Sequence, residues 1–118
     1  MTHPALAALR AGTDDVHRRL EAELPLTAPG LTADTYAAVL GRFWGLVAPL
    51  EAALDDAGVP LADWPERRKA ELLAADLAST AGLVECDSLP ALDGDDAVLG
   101  CLYVLEGSTL GGLSLIHI

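Results

Sequence analysis

The spacing of apolar residues near the amino terminus is that of one face of an α-helix. Positions there recur at steps of three and four residues, the pattern of an amphipathic helix, through Leu6, Leu9, Thr13, Val16, Leu20 and Leu24. Pro4 suits the first turn of such a helix, and the segment PLTAPG from Pro25 ends it. No stretch of the chain shows the alternation of a half-buried strand. The sequence therefore predicts an all-α fold.

A second helix is predicted to begin at Thr32, whose hydroxyl suits an N-cap, and to end at Gly58. Asp34 lies in the first turn, where the helix dipole favours a carboxylate. Pro49 lies inside the segment and predicts a kink, because an interior proline removes one backbone hydrogen bond. We expect the buried face to consist of Tyr36, Leu40, Phe43, Val47, Leu50 and Leu54.

A third helix is predicted from Pro65 to about Ser79, with Leu72, Leu73 and Leu77 facing inward. Its first turn carries three cations, Arg67–Lys69, which oppose the helix dipole, so we expect other groups to hold these charges. The stretch 81–92 is loop-like, and a fourth helix is predicted from about Ala97, with N-cap candidates among residues 93–96.

The chain is strongly acidic, with seven Lys and Arg against eighteen Asp and Glu and a net charge of −11. Such a chain is a poor ligand for nucleic acid or for an anionic membrane surface, since both require clustered cations. The longest apolar run near the carboxyl end, 97–105, is about half of what a membrane span needs. Cys86 and Cys101 lie fifteen positions apart and form neither a CxxC pair nor a disulfide framework. We therefore expect a cytoplasmic protein with no nucleic-acid or membrane partner.

His17 lies on a polar seam beside the apolar stripe of the first helix. At about 100° per residue, Arg10, Thr13, His17 and Glu21 share one face of that helix. A neutral imidazole there could bind a metal through one nitrogen while a carboxylate one turn away holds the other. The alternative is a surface histidine in an i,i+4 pair with Glu21. The chain has no HExxH pattern and no second histidine near His17, so a closed metal site built from protein alone is not indicated.

The fourth helix carries four glycines, and steps of seven and four place Gly100, Gly107 and Gly111 on one face, with Gly112 beside them. Together they give up about 3–4 kcal/mol of helix stability relative to alanine. Two interpretations remain open. The helix could end at Gly107 and continue as a loop, or the glycines could allow the backbone to approach another helix or a flat ligand. No GxGxxG pattern follows a strand, so dinucleotide binding is not indicated.

Three stretches together resemble the haem oxygenase family, in particular its biliverdin-producing bacterial branch. They are LRAGTDDVHRRLE (9–21), YAAVLGRFWGLVAPLE (36–51) and GCLYVLEGSTLGG (100–112), and the resemblance extends over 6–112. The resemblance implies an all-α, haem oxygenase-like helical bundle that holds haem between a proximal and a distal helix. It implies that His17 is the axial ligand of the haem iron, with Glu21 as a partner of the imidazole and Arg10 facing a propionate. It also places other residues at the haem, with Thr13, Tyr103, Gly107, Gly111 and Gly112 binding it and Gly107, Ser108 and Gly111 on the catalytic side.

The implied activity is the oxidative cleavage of haem, which is both substrate and cofactor. Dioxygen and electrons from a reductase or ferredoxin open the ring and give biliverdin, carbon monoxide and ferrous iron. Many family members have an aspartate where Ser108 stands here, although bacterial members of this branch often lack it. The resemblance therefore implies the activity but does not assign the route of proton delivery. One alternative is a haem-binding helical protein without turnover. Another is a thiaminase-like relative of the same fold, which would need a catalytic cysteine.

Residues 1–112 are expected to be the amino-terminal part of a single domain, because the family runs well beyond this length. The activity is therefore expected of the parent protein, not of this fragment alone. The last six residues, LSLIHI (113–118), match the in-frame translation of a transposase mosaic-end adapter used in sequencing libraries. We therefore treat them as a non-native tail and give His117 no functional weight. A native apolar terminus is the alternative.

Overall fold

The computed structural model describes residues 3–23 and 32–116, with side chains described up to residue 107. The elements in these ranges are five helices and no strand, so the predicted all-α fold is confirmed. The segment from Pro25 and His117 lie outside the described residues. The helices are α1 (Pro4–Glu23), α2 (Ala33–Ala57), α3 (Trp64–Arg67), α4 (Ala70–Asp76) and α5 (Asp95–Ile116).

The ends of α2 are set by local capping, as predicted. The hydroxyl of Thr32 accepts a hydrogen bond from the backbone N–H of Thr35 at 3.1 Å. Gly58 has a φ of 86°, which favours glycine, and its N–H donates to the carbonyl of Leu54. Between these caps the helix continues without interruption through Pro49.

The predicted third helix is wrong in its extent, because it is divided into α3 and α4 at Arg68 and Lys69. A carboxylate from α2 causes the division. Glu51 is only 7% exposed, and its Oε2 accepts hydrogen bonds from the N–H of Lys69 at 2.7 Å and of Ala70 at 3.2 Å. These two N–H groups lie at the start of α4. The first N–H groups of any α-helix have no hydrogen-bond partner within the helix. Glu51 therefore gives α4 a new amino terminus and supplies a negative charge beside its dipole.

We expect Glu51→Ala to lower the free energy of unfolding by about 2–3 kcal/mol, because two partly buried donors lose a charged acceptor. Glu51→Gln keeps one acceptor oxygen and should lose less. Urea denaturation followed by helical circular dichroism measures both changes. Glu71→Ala is the matched control, since Glu71 is exposed on α4 and makes no ion pair with described residues. Equal stability of Glu51→Ala and Glu71→Ala would contradict the capping role.

The core is built from buried residues of α2, α3 and α5, and α4 packs against α2. Leu54 at the centre is fully buried, and Trp64 of α3 is 7% exposed while its Nε1 donates to Asp55 at 2.8 Å. The buried cluster consists of Val47, Leu50, Leu54, Trp64, Val98, Leu102 and Leu105. This arrangement fixes which side of α5 faces the protein and which side stays open.

Two residues predicted to face inward do not. Tyr36 is 47% exposed, because buried positions on α2 begin one turn later, at Val39. Leu72 is 67% exposed, whereas Leu73 packs against the core. Neighbouring residues of a helix lie about 100° apart, so Leu72 and Leu73 cannot both face the same surface.

The helix α1 is confirmed over Pro4–Glu23, but no residue of it is buried. Its apolar stripe is exposed at Leu9, Val16 and Leu20, so within residues 3–23 and 32–116 nothing covers that face. Among the described helices, α2 has the length and hydropathy of a membrane span. Core helices share these properties, and α2 packs as one, with Val47, Leu50 and Leu54 in the buried cluster.

Candidate functional site

The seam of α1 places four predicted site residues on one exposed face. Thr13 donates its hydroxyl hydrogen to the carbonyl of Leu9 at 2.8 Å, so this hydroxyl is already engaged with the helix backbone. Arg10, His17 and Glu21 make no hydrogen bond or ion pair with any residue that the structure describes. Both nitrogens of the His17 imidazole and the Arg10 guanidinium are thus available to a ligand. The predicted pairing of Glu21 with His17 stays a prediction.

The packed side of α5 and its glycine side are opposite each other. Val98, Leu102 and Leu105 define the packed side. From the helical repeat, Gly100 and Gly107 lie within roughly 20° of the direction opposite to that side. Tyr103 and Val104 flank them and are 64% and 67% exposed. We call the surface formed by Gly100, Tyr103, Val104 and Gly107 the glycine face, and it is open and apolar at its edges.

The glycines of this face are not required by internal packing. A Cβ atom built on Gly100 or Gly107 meets no other group within 4 Å. Both residues have helical backbone, and α5 continues to Ile116, so the alternative that the helix ends at Gly107 is wrong. A glycine inside a helix costs about 1 kcal/mol relative to alanine. Neither packing within the described residues nor backbone conformation accounts for this loss.

Two glycines of α2, which the sequence reasoning did not single out, are explained by packing instead. A Cβ on Gly45 would lie 2.2 Å from the carbonyl oxygen of Val84, and one on Gly41 would lie 3.1 Å from the Leu83 side chain. The loop crosses α2 here, and the N–H of Cys86 donates to the carbonyl of Gly45 at 2.7 Å. The four-residue spacing of the two glycines was the available signal, because it places both on one helix face.

The cations between α3 and α4 are held by carboxylates, as expected. Arg67 pairs with Asp63 at 2.9 Å and with Glu106 at 3.5 Å, and Lys69 pairs with Glu106 at 3.3 Å. Arg68 pairs with Asp55 and lies over the Trp64 ring. The hydrogen bond from Arg67 lowers the pKa of Asp63 below its ordinary value. These cations are therefore engaged within the fold, in contrast to Arg10.

The two cysteines are free, as predicted. Cys101 packs against the core, and this burial raises the pKa of its thiol, which disfavours the reactive thiolate. The thiol of Cys86 lies 3.7 Å from the carbonyl of Ser88. The environment of Cys101 is therefore not that of an activated nucleophile.

The two candidate surfaces lie on separate helices. Arg10, Thr13, His17 and Glu21 are on α1, whereas Tyr103 and Gly107 are on α5. Ser108, Gly111 and Gly112 continue α5 as backbone, beyond the last described side chain. Groups of three or more His, Cys, Asp or Glu suited to a metal ion are absent from the described residues. A metal that is carried by an organic ring and needs a single protein ligand does not require such a group.

A curated protein named heme oxygenase, from Xanthomonas campestris pv. campestris (strain 8004), is 40% identical to this chain over 84 residues. The alignment covers 70% of the chain and 51% of that protein, so the chain spans about half the length of the relative it matches. No family model matches the chain. No solved structure matches it either.

Proposed function

We propose that this chain is part of a haem oxygenase and that its glycine face and His17 bind haem from opposite sides. The observation that carries the proposal is the side of α5 opposite the core, which lacks side chains at Gly100 and Gly107 for no reason of internal packing. A flat ring is the shape that such a surface accepts. The 40% identity to a heme oxygenase supports the assignment.

The residues of α1 have the chemistry that the other side of a haem requires. A neutral imidazole is a usual axial ligand of haem iron, and the imidazole of His17 is exposed and unengaged among the described residues. Leu9, Val16 and Leu20 form an exposed apolar surface beside it, which suits the porphyrin ring. Arg10 lies on the same face of α1 as His17. It has no carboxylate partner among the described residues, so its guanidinium is free to hold a propionate.

The remaining assignments are carried over from the family resemblance. Thr13, Tyr103 and Gly112 line the haem, Glu21 orients the His17 imidazole, and Gly107, Ser108 and Gly111 form the side at which dioxygen is bound. The backbone groups of the glycines and the Ser108 hydroxyl would hold ordered water there and direct a proton. Bound haem supplies the redox chemistry, in which dioxygen and electrons from a reductase or ferredoxin yield biliverdin, carbon monoxide and ferrous iron.

The chain spans about half the length of the relative it matches, which concerns how much of the domain it contains. We propose that residues 1–112 are the amino-terminal part of one haem oxygenase-like domain and that 113–118 form a non-native tail. The 51% coverage supports only that the chain is part of such a domain. The acidic charge and the engaged cations of 67–69 support a protein of the cytoplasm without a nucleic-acid partner.

Haem titration followed by reduction in air tests the proposed activity. We expect ferric haem to give a Soret band with the chain at one equivalent. Biliverdin absorbance is expected from the full-length parent protein when a ferredoxin and its reductase supply electrons in air. Haem binding by the full-length parent protein without any bile pigment would favour the haem-binding alternative without turnover. The absence of a Soret change would exclude both and leave the thiaminase-like relative.

A further inference from the structure

Glu106 connects α5 to the segment between α3 and α4 at the residue that precedes the glycine run. Its Oε1 lies 3.3 Å from the Lys69 ammonium and 3.5 Å from the Arg67 guanidinium. Lys69 is also fixed on its own side, because its ammonium donates to the carbonyl of Arg67 at 3.2 Å and its N–H donates to buried Glu51. The ion pairs thus link α5 to a segment that is itself held against α2.

The position of Glu106 around α5 gives these contacts a geometric effect. From the helical repeat, Glu106 lies roughly 70° from the centre of the packed side and roughly 120° from the glycine face. Val98, Leu102 and Leu105 allow some rotation of α5 against the core, because apolar contacts are non-directional. A charged contact on one flank restricts that rotation, and so restricts where the glycine face points.

The residues that follow Glu106 include three glycines, so α5 needs a restraint on its rotation at this point. Gly107, Gly111 and Gly112 weaken the helix at the point where the proposed haem site needs a fixed backbone. No described side chain contacts the open side of Gly107. Among the described side chains, Glu106 makes the last ion pairs to another part of the fold before Gly107.

We propose that Glu106 is a positioning residue that, through Lys69 and Arg67, fixes the orientation of the glycine face toward haem. This inference rests on the proposed function for its ligand, but the restraint on α5 can be measured without haem. Glu106 does not contact the ring in this proposal, and its effect passes through the rotation of α5.

The test compares Glu106→Gln with Asp63→Asn in the full 118-residue chain. Both variants remove one carboxylate partner of Arg67, but only Glu106 belongs to α5 and also pairs with Lys69. We expect Glu106→Gln to increase amide hydrogen exchange in 103–112 and to weaken haem binding about fivefold, the scale of a partly exposed ion pair. We expect Asp63→Asn to leave both close to wild type, and the urea midpoints of the two variants to agree, since a merely structural loss would lower the midpoint instead.

Two outcomes separate the inference from the function on which it rests. If the wild-type chain binds haem and Glu106→Gln matches Asp63→Asn in exchange and affinity, the positioning role is wrong and the haem site stands. If the wild-type chain binds no haem, the proposed function is lost, while the exchange of 103–112 still decides whether Glu106 restrains α5.

Discussion

Replacement of His17 by alanine is expected to change the Soret band of the ferric haem complex and to weaken haem binding at least about tenfold, which corresponds to about 1.4 kcal/mol. The change removes the proposed iron–nitrogen bond while leaving the apolar stripe of α1 in place. His17 is exposed and has no partner among the described residues, so the fold itself should lose little stability. Absorbance titration of wild type and variant with ferric haem measures the effect.

The chain provides a matched control for this substitution. His3 is the other described histidine, and its Nδ1 accepts a hydrogen bond from the N–H of Ala5 at 3.1 Å, so it serves the start of α1. His3→Ala should leave the Soret band and the affinity unchanged. Free imidazole added to His17→Ala should restore the wild-type band, because it can occupy the vacated coordination position. A wild-type spectrum and affinity for His17→Ala without imidazole would exclude His17 as the ligand.

The features that were predicted correctly depend on residues close together in the sequence. The cap at Thr32 involves Thr35, and the end at Gly58 involves a left-handed backbone and a carbonyl four residues earlier. The division of the third helix was missed because its cause is remote. The carboxylate of Glu51 lies eighteen positions before Lys69, and no local pattern shows that it will reach that N–H.

Burial was predicted less well than helicity, and the reason is physical. An apolar stripe shows that a helix has one apolar side, but it does not show what covers that side. On α2 the stripe meets α5 and forms the core, whereas on α1 the same periodicity leaves Leu9, Val16 and Leu20 exposed. The polar seam of α1 was likewise predictable as a shared face, while the distance from His17 to the glycine face was not.

The role of each glycine was also not predictable from its spacing, since glycine serves two purposes in this chain. Gly45 admits the backbone of a crossing loop, and Gly107 leaves a surface open. Both stand at four-residue spacings from another glycine, Gly41 and Gly111 respectively. Spacing alone therefore cannot distinguish a glycine required by packing from one that faces a ligand. The atoms that an added Cβ would meet distinguish the two cases.

Gly45→Ala is expected to lower the free energy of unfolding by about 2–3 kcal/mol, because its Cβ would lie 2.2 Å from the carbonyl oxygen of Val84. That atom is backbone and cannot move without displacing the loop and its 2.7 Å hydrogen bond from Cys86 to Gly45. The loss exceeds the gain of about 1 kcal/mol that alanine brings to a helix. In thermal unfolding, the midpoint should fall by roughly 8–16 °C for a domain of this size.

Gly107→Ala should have the opposite effect on the protein without haem. Its Cβ meets no other group within 4 Å, so the helix gains up to about 1 kcal/mol and the unfolding midpoint rises. The same methyl group stands on the face proposed to lie against haem, and haem affinity should fall about fivefold or more, because an ordered ring close to the backbone leaves no room for it. Thermal unfolding and haem titration of both variants separate the two effects. A Gly107→Ala protein that is stabilised and binds haem as the wild type does would show that the glycine face does not contact the ring.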